Sequence, residues 1–156
     1  MYSSDMKVYR AHGALIIESV HFMKLIGFLS MGSYGYRRAK GAALFPFVFV
    51  RSREHATPLL INHERIHCRQ QIETLYIGIL LLRVFESCYA RFVLRLHAPD
   101  SNLYLASEQE AYRHQHDMEY LTHRTWFSVF RYLRDKRALT FVEGRAPEVC
   151  VGKRLG

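Results

Sequence analysis

The feature that most constrains the fold is the stretch from Thr57 to Gln71, TPLLINHERIHCRQQ. Thr57 can cap a helix whose first position is Pro58, where the missing proline N–H costs nothing. His63 and His67 follow four residues apart. Positions i and i+4 lie one above the other on a helix, so the two imidazoles can bind one metal ion. The stretch therefore predicts a helix with a metal-binding face.

Glu64 comes directly after the first histidine and completes the order His-Glu-x-x-His. Its carboxylate cannot easily reach the metal as a ligand. It can hydrogen-bond a metal-bound water and accept the proton of that water. This is the chemistry of the zinc hydrolase motif. The alternative is a basic, solvated helix face with two surface histidines.

A catalytic zinc usually has three protein ligands and one position for water, so a third ligand is needed. One class of zinc site places a third histidine six residues beyond the second, after a glycine that turns the chain. Here that position is Glu73, and no glycine precedes it. A later segment offers two carboxylates instead. Ser107 and Glu110 have the spacing of a capping box, which leaves Glu108 to face the metal.

Two strings, INHERIHCRQQIE and SEQEAYRHQHDMEYL, resemble a group of small bacterial proteins with the His-Glu-x-x-His motif. More broadly, the Glu-x-x-Ala motif on a later helix is similar to that of the gluzincin-type zinc metallopeptidases. The likeness covers roughly residues 20 to 137. It implies that His63, His67 and Glu108 are the zinc ligands and that Glu64 is the general base. Those metallopeptidases have an Asp after the Ala, where this chain has Tyr112.

Four further residues are candidates for the site. Tyr112 and His116 follow Glu108 at i+4 and i+8, so on one helix either could stabilise an oxyanion or hold a ligand. Gln71 could orient a ligand or touch substrate, and Glu110 could hydrogen-bond a metal ligand and hold it in position. The alternative is a structural role for Tyr112 and His116, a helix cap for Glu110 and a solvated position for Gln71.

The other patterns predict a small, mostly helical α+β domain, and the resemblance implies that this domain is of zincin type. The run LFPFVFV alternates like a strand, and Pro46 indicates an edge strand, because proline cannot donate to a ladder. Such a strand could hold an extended peptide, or could simply pack its aromatic residues on the core. Apolar positions then extend the metal helix toward Leu96, with a kink near Gly78 or a break near Ser87. A second helix is predicted to begin near Ser107.

The length of 156 residues predicts a single domain, with its core at about residues 20–137 and a tail at 138–156. An odd number of cysteines, three, favours reduced thiols. The N-terminus does not read as a signal peptide, and the apolar run from Leu75 to Leu82 is too short to span a bilayer. These features together predict a cytoplasmic protein.

Two functional hypotheses remain open from the sequence. The first is a zinc-dependent metallopeptidase that acts on a peptide or protein substrate. The second is a basic protein without catalysis, which binds a structural zinc or no metal at the motif and whose net charge of +8 attracts nucleic acid or an anionic membrane surface. Peripheral membrane contact near Trp126 is a weaker variant of the second.

Overall fold

The computed structural model describes residues 6–25, 40–96, 100–140 and 148–154. It shows an α+β chain with two compact units, Met1–Cys68 and Arg69–Gly156. The division between the units falls within one helix, α1, which runs from Pro58 to Glu73.

The first unit contains a four-stranded sheet and the beginning of α1. The strands are β1 (Lys7–Ala11), β2 (Ala14–Glu18), β3 (Gly41–Leu44) and β4 (Phe47–Val50), in the order β1-β2-β4-β3. Residues 20–25 are helical, and a 3-10 turn covers Arg53–His55. The core joins the sheet to the helix, because Ile16, Val48 and Val50 pack with Ile61 and Cys68.

The strand that the Phe-rich run predicted is interior, not an edge. β4 pairs with β2 in parallel and with β3 in antiparallel orientation, so both of its hydrogen-bonding edges are used. Pro46 lies in the turn between β3 and β4, where its missing N–H breaks no ladder bond. The edge-strand prediction is therefore wrong, and a substrate peptide cannot add to β4.

A tight turn between β1 and β2 fixes α1 on the sheet. His12 and Gly13 both have positive φ, 50° and 73°, the conformation that joins twisted strands in two-residue hairpins. The Arg65 guanidinium lies against this turn and donates from Nη1 to the carbonyl of His12, at 3.3 Å. A Cβ atom at Gly13 would lie 3.2 Å from Arg65 Cζ, so the glycine allows this close approach.

The second unit is mostly helical. Its helices are α2 (Ile77–Cys88), α3 (Asp100–Leu103), α4 (Ala106–His114) and α5 (Tyr120–His123), with a π-helical turn at Tyr89–Val93 and a 3-10 helix at Ser128–Leu133. Two antiparallel strands follow, β5 (Arg137–Thr140) and β6 (Glu148–Arg154). The segment predicted as a tail thus contains strands.

The predicted long helix is interrupted between α1 and α2, close to the expected kink at Gly78. Leu75 and Tyr76 both adopt positive φ, 52° and 60°, which no continuous helix allows. Thr74 supports the turn, since its hydroxyl donates to the carbonyl of Gln70 and accepts from the N–H of Ile79. Among the described residues, no helix has the length and apolarity needed to cross a membrane.

Candidate metal centre

The two histidines of the motif face each other on α1. The predicted cap is confirmed, because Thr57 Oγ1 accepts the N–H of Leu60 at 3.2 Å and Pro58 begins the helix. His63 is buried and His67 is half-buried. Their Nε2 atoms lie 3.1 Å apart, and the rings meet edge to face.

This separation fits a shared metal ion. Two imidazole nitrogens bound to one tetrahedral zinc, each at about 2.0–2.1 Å, lie about 3.3 Å from each other. The observed 3.1 Å is close to that value. The same distance also allows a direct hydrogen bond when one nitrogen is protonated and the other is not.

A carboxylate accompanies the two imidazoles. Within the described ranges, one group of His, Cys, Asp and Glu side chains could hold a metal ion, and it consists of His63, His67 and Glu108. One ligand atom from each lies within 4.8 Å of the others. Two nitrogens and one carboxylate oxygen form a donor set that suits zinc.

Glu64 is buried on α1, against the beginning of β3. A Cβ atom at Gly41 would lie 3.1 Å from Glu64 Oε1 and 3.1 Å from Leu60 Cδ2. Because Gly41 has no side chain, there is space next to the Glu64 carboxylate. Sequence reasoning missed Gly41, although a glycine that opens a strand signals a close approach.

Cys68, the residue after the second histidine, does not contribute to the group. Burial raises the pKa of its thiol to about 12, and the charge of Glu64 adds to the effect. The thiol stays protonated and points to the carbonyl of Phe47, with Sγ 3.8 Å from the oxygen. A protonated thiol is a poor metal ligand, because the thiolate is the form that binds.

Arg83 on α2 holds Glu108 in place. Its Nη1 donates to Glu108 Oε1 at 2.9 Å and to Ser107 Oγ at 2.8 Å. Glu108 is only 8% exposed, so this arginine supplies a nearby positive charge to a buried carboxylate. Sequence reasoning missed Arg83, although a basic residue directly after the apolar run ending at Leu82 was a usable signal.

The predicted capping box is wrong. α4 begins at Ala106 rather than after Ser107, and its preceding residue, Leu105, provides no side-chain cap. The N–H of Ala106 instead donates to the carboxylate of Glu86 on α2, with distances of 3.1 and 2.9 Å. Glu86 of α2 thus caps α4 in place of Ser107. An acidic group at a helix N-terminus is electrostatically favourable.

Glu110 is buried in an ionic network behind the first turn of α4. Its carboxylate accepts from Arg124 Nε at 2.6 Å, from the Tyr120 hydroxyl at 2.9 Å and from Gln70 Nε2 at 2.8 Å. Arg124 also binds Glu73, so one guanidinium serves two buried carboxylates. Gln70 is fully buried.

The remaining candidates differ in position. Tyr112 lies on α4, one turn after Glu108, and is half-buried. Gln71 is half-buried near the end of α1. α4 ends at His114, so His116 lies beyond it on an exposed turn. The prediction that His116 shares a helical face with Glu108 is wrong, because the helix ends two residues before His116.

Comparison with protein-family models, with curated proteins and with solved structures finds no match to this chain.

Proposed function

We propose that this protein is a zinc-dependent hydrolase whose metal ligands are His63, His67 and Glu108. The observation that carries the proposal is the convergence of the two Nε2 atoms, 3.1 Å apart, with a carboxylate oxygen in the same group. Bound zinc would supply a water of lowered pKa and a Lewis acid for a carbonyl oxygen.

Glu64 is the general base in this proposal. It directly follows a ligand on the same helix, is buried, and borders the space at Gly41. A carboxylate there can take the proton of the attacking water and later pass it to the leaving amine. Tyr112, one turn from Glu108, is the candidate for stabilising the oxyanion.

Contacts of α1 with α4 support the choice of Glu108 as third ligand. Gln70, three residues after His67 on the same helix, donates to the carbonyl of Ser107 at 3.2 Å. Residues three apart on a helix lie on one face. Gln70 therefore lies on the same face of α1 as the two histidines, and it binds the residue next to Glu108.

The substrate that we infer is a peptide or protein, because the pair of motifs has the order found in zinc metallopeptidases. A basic binding protein without catalysis is the alternative. Elemental analysis of the purified protein tests for the one zinc per chain that the hydrolase needs, and the activity of the zinc-loaded protein separates the hydrolase from a zinc-binding protein without catalysis.

The experiment compares wild type with Glu64→Gln and with the matched control Glu54→Gln, which removes an exposed carboxylate. We expect Glu64→Gln to keep its zinc and to lose hydrolysis of an unstructured protein such as casein by about a hundredfold or more. Glu54→Gln should retain both. Full activity in Glu64→Gln would refute the mechanism, and a protein that takes up no zinc would refute the metal centre.

A further inference from the structure

The outward face of α2 is apolar. Side chains at helical spacing point to solvent there, and the π-helical turn continues the row: Ile77, Leu80, Leu81, Val84, Phe85, Phe92 and Val93. We call this set the outer face. Phe85 is 72% exposed and Phe92 is 75% exposed, and no residue of the outer face is charged. A water-soluble surface helix normally shows its polar side to solvent.

The opposite side of α2 packs on the protein through the buried Ile79 and through two charged residues, Arg83 and Glu86. Glu86 is buried and binds Lys136 and the N–H of Ala106. Arg83 binds Glu108 and Ser107. These polar contacts hold α2 in its orientation, because reversing the helix would leave the charges of Arg83 and Glu86 without partners. The exposure of the outer face is thus built into the unit, and an apolar surface of this extent marks a site of association.

We propose that the outer face docks on the surface of a lipid bilayer that contains anionic lipid, with α2 lying in the plane of the interface. The helix has 12 residues, which span about 18 Å, whereas a bilayer core is about 30 Å thick. It can therefore lie on a membrane but not cross one. The proposal does not depend on the hydrolase function.

Charge favours an anionic membrane over a second copy of the chain. Arg91 and Arg95 are exposed at the end of the outer face, next to Phe92. The chain as a whole carries a net charge of +8, so two copies repel each other while an anionic surface attracts each of them. Trp126, where the sequence predicted membrane contact, is also exposed, but Arg69 covers one side of its ring at 4.3 Å.

The test is flotation of the full-length protein with phosphatidylcholine vesicles, with and without phosphatidylglycerol. The double variant Leu81→Glu/Phe85→Glu should bind about tenfold more weakly or worse, because two apolar side chains no longer enter the interface. The matched control is Met6→Glu/Val8→Glu, which adds the same charge at two exposed apolar residues of the first unit. We expect the control to retain most of its binding.

A second pair of measurements separates charge from apolar contact. Arg91→Gln/Arg95→Gln should lose about fivefold in affinity per arginine, only for vesicles with anionic lipid. A polarity-sensitive fluorophore can be attached to Cys88, which is exposed on the same helix, in a Cys150→Ser protein that lacks a competing thiol. Its emission maximum should shift to shorter wavelength when vesicles are added.

Three results would overturn the proposal. The first is that wild type does not float with anionic vesicles. The second is that the control variant loses as much binding as the outer-face variant. The third is that wild type is a dimer in solution, that Leu81→Glu/Phe85→Glu dissociates this dimer, and that lipid does not change the oligomeric state. Circular dichroism of each variant checks that the fold is kept, which is expected of the three double variants because each of their substituted side chains is exposed.

Discussion

At the residue scale, Gly41 gives the sharpest test of the Glu64 site. A Cβ atom there would lie 3.1 Å from both Glu64 Oε1 and Leu60 Cδ2, tighter than most van der Waals contacts. In Gly41→Ala the side chain of Glu64 must move by a few tenths of an ångström. The cost of about 0.5–1.5 kcal/mol for a displaced side chain is similar to the gain of about 0.4–1 kcal/mol from a less flexible unfolded chain.

We therefore expect Gly41→Ala to keep its stability and its zinc but to lose about tenfold in hydrolysis, because the position of the base governs the rate. Hydrolysis, zinc content and thermal unfolding are measured together. Leu44→Ala, at the exposed end of the same strand, is the control. Unchanged hydrolysis in Gly41→Ala would show that Glu64 does not act from the observed position.

His114 predicts a pH dependence of stability in the second unit. Its ring stacks on Tyr120 with centroids 3.8 Å apart, and Nε2 lies 2.7 Å from the Tyr132 hydroxyl. Burial lowers the pKa of His114 below its ordinary value of 6.5, although nearby carboxylates partly oppose the shift. The charged and titratable groups around the ring are Glu110, Asp117, Arg113, His123, Tyr120 and Tyr132.

Because the folded state binds the proton less well, stability should fall as the pH falls below 6.5 toward the lowered pKa. Urea unfolding at pH 7.5 and at pH 5 measures the drop. His114→Phe retains the ring stack and should lose less stability between the two pH values than wild type. His116→Gln, at an exposed position, should lose as much stability as wild type. Equal drops in wild type and His114→Phe would contradict the assignment.

At the scale of elements, α2 positions Glu108, the proposed third ligand, through Arg83. Arg83 would compete with a metal ion for the charge of Glu108, and it also orients the Glu108 carboxylate. Its side chain is 31% exposed, so its charge is partly screened and orientation should dominate. We expect Arg83→Gln to weaken zinc binding by about 10- to 100-fold, as loss of a ligand's hydrogen-bond partner usually does.

Competition with a zinc chelator of known affinity measures this effect. Arg91→Gln removes the same charge from the exposed end of the helical segment and should leave zinc affinity unchanged. Tighter zinc binding in Arg83→Gln would mean that charge competition outweighs orientation, and the positioning role of Arg83 would be withdrawn.

At the scale of the whole molecule, zinc should stabilise the folded chain. The proposed ligands lie up to 45 positions apart in sequence, from 63 to 108, so the unfolded chain does not bring all three together. Free zinc at about a hundred times its dissociation constant should add about 2.7 kcal/mol to the free energy of unfolding. Differential scanning calorimetry with zinc and with a chelator checks this.

Variants show whether the stabilisation comes from the predicted ligands. His67→Ala should abolish the zinc-dependent rise in melting temperature, and Glu64→Gln should keep it, because Glu64 is not a ligand in the proposal. If His67→Ala shows the same rise as wild type, the metal binds elsewhere on the chain.

The sequence by itself determined the features that depend on neighbouring residues. The cap at Thr57, the helix from Pro58 and the facing of His63 and His67 all follow from spacings of four residues or fewer. Such local geometry does not depend on the rest of the fold. The α+β class followed from the same kind of pattern, since strands and helices differ in their local periodicity.

Only the tertiary structure decided which neighbours each element meets. Pro46 was misread because an interior strand and an edge strand differ in their partners, which the strand's own residues do not specify. Ser107 was misread because Glu86 of another helix caps α4. The other apolar side of α2 faces outward for the same reason: the buried Ile79 and the ionic contacts of Arg83 and Glu86 hold the inward side of the helix against the protein.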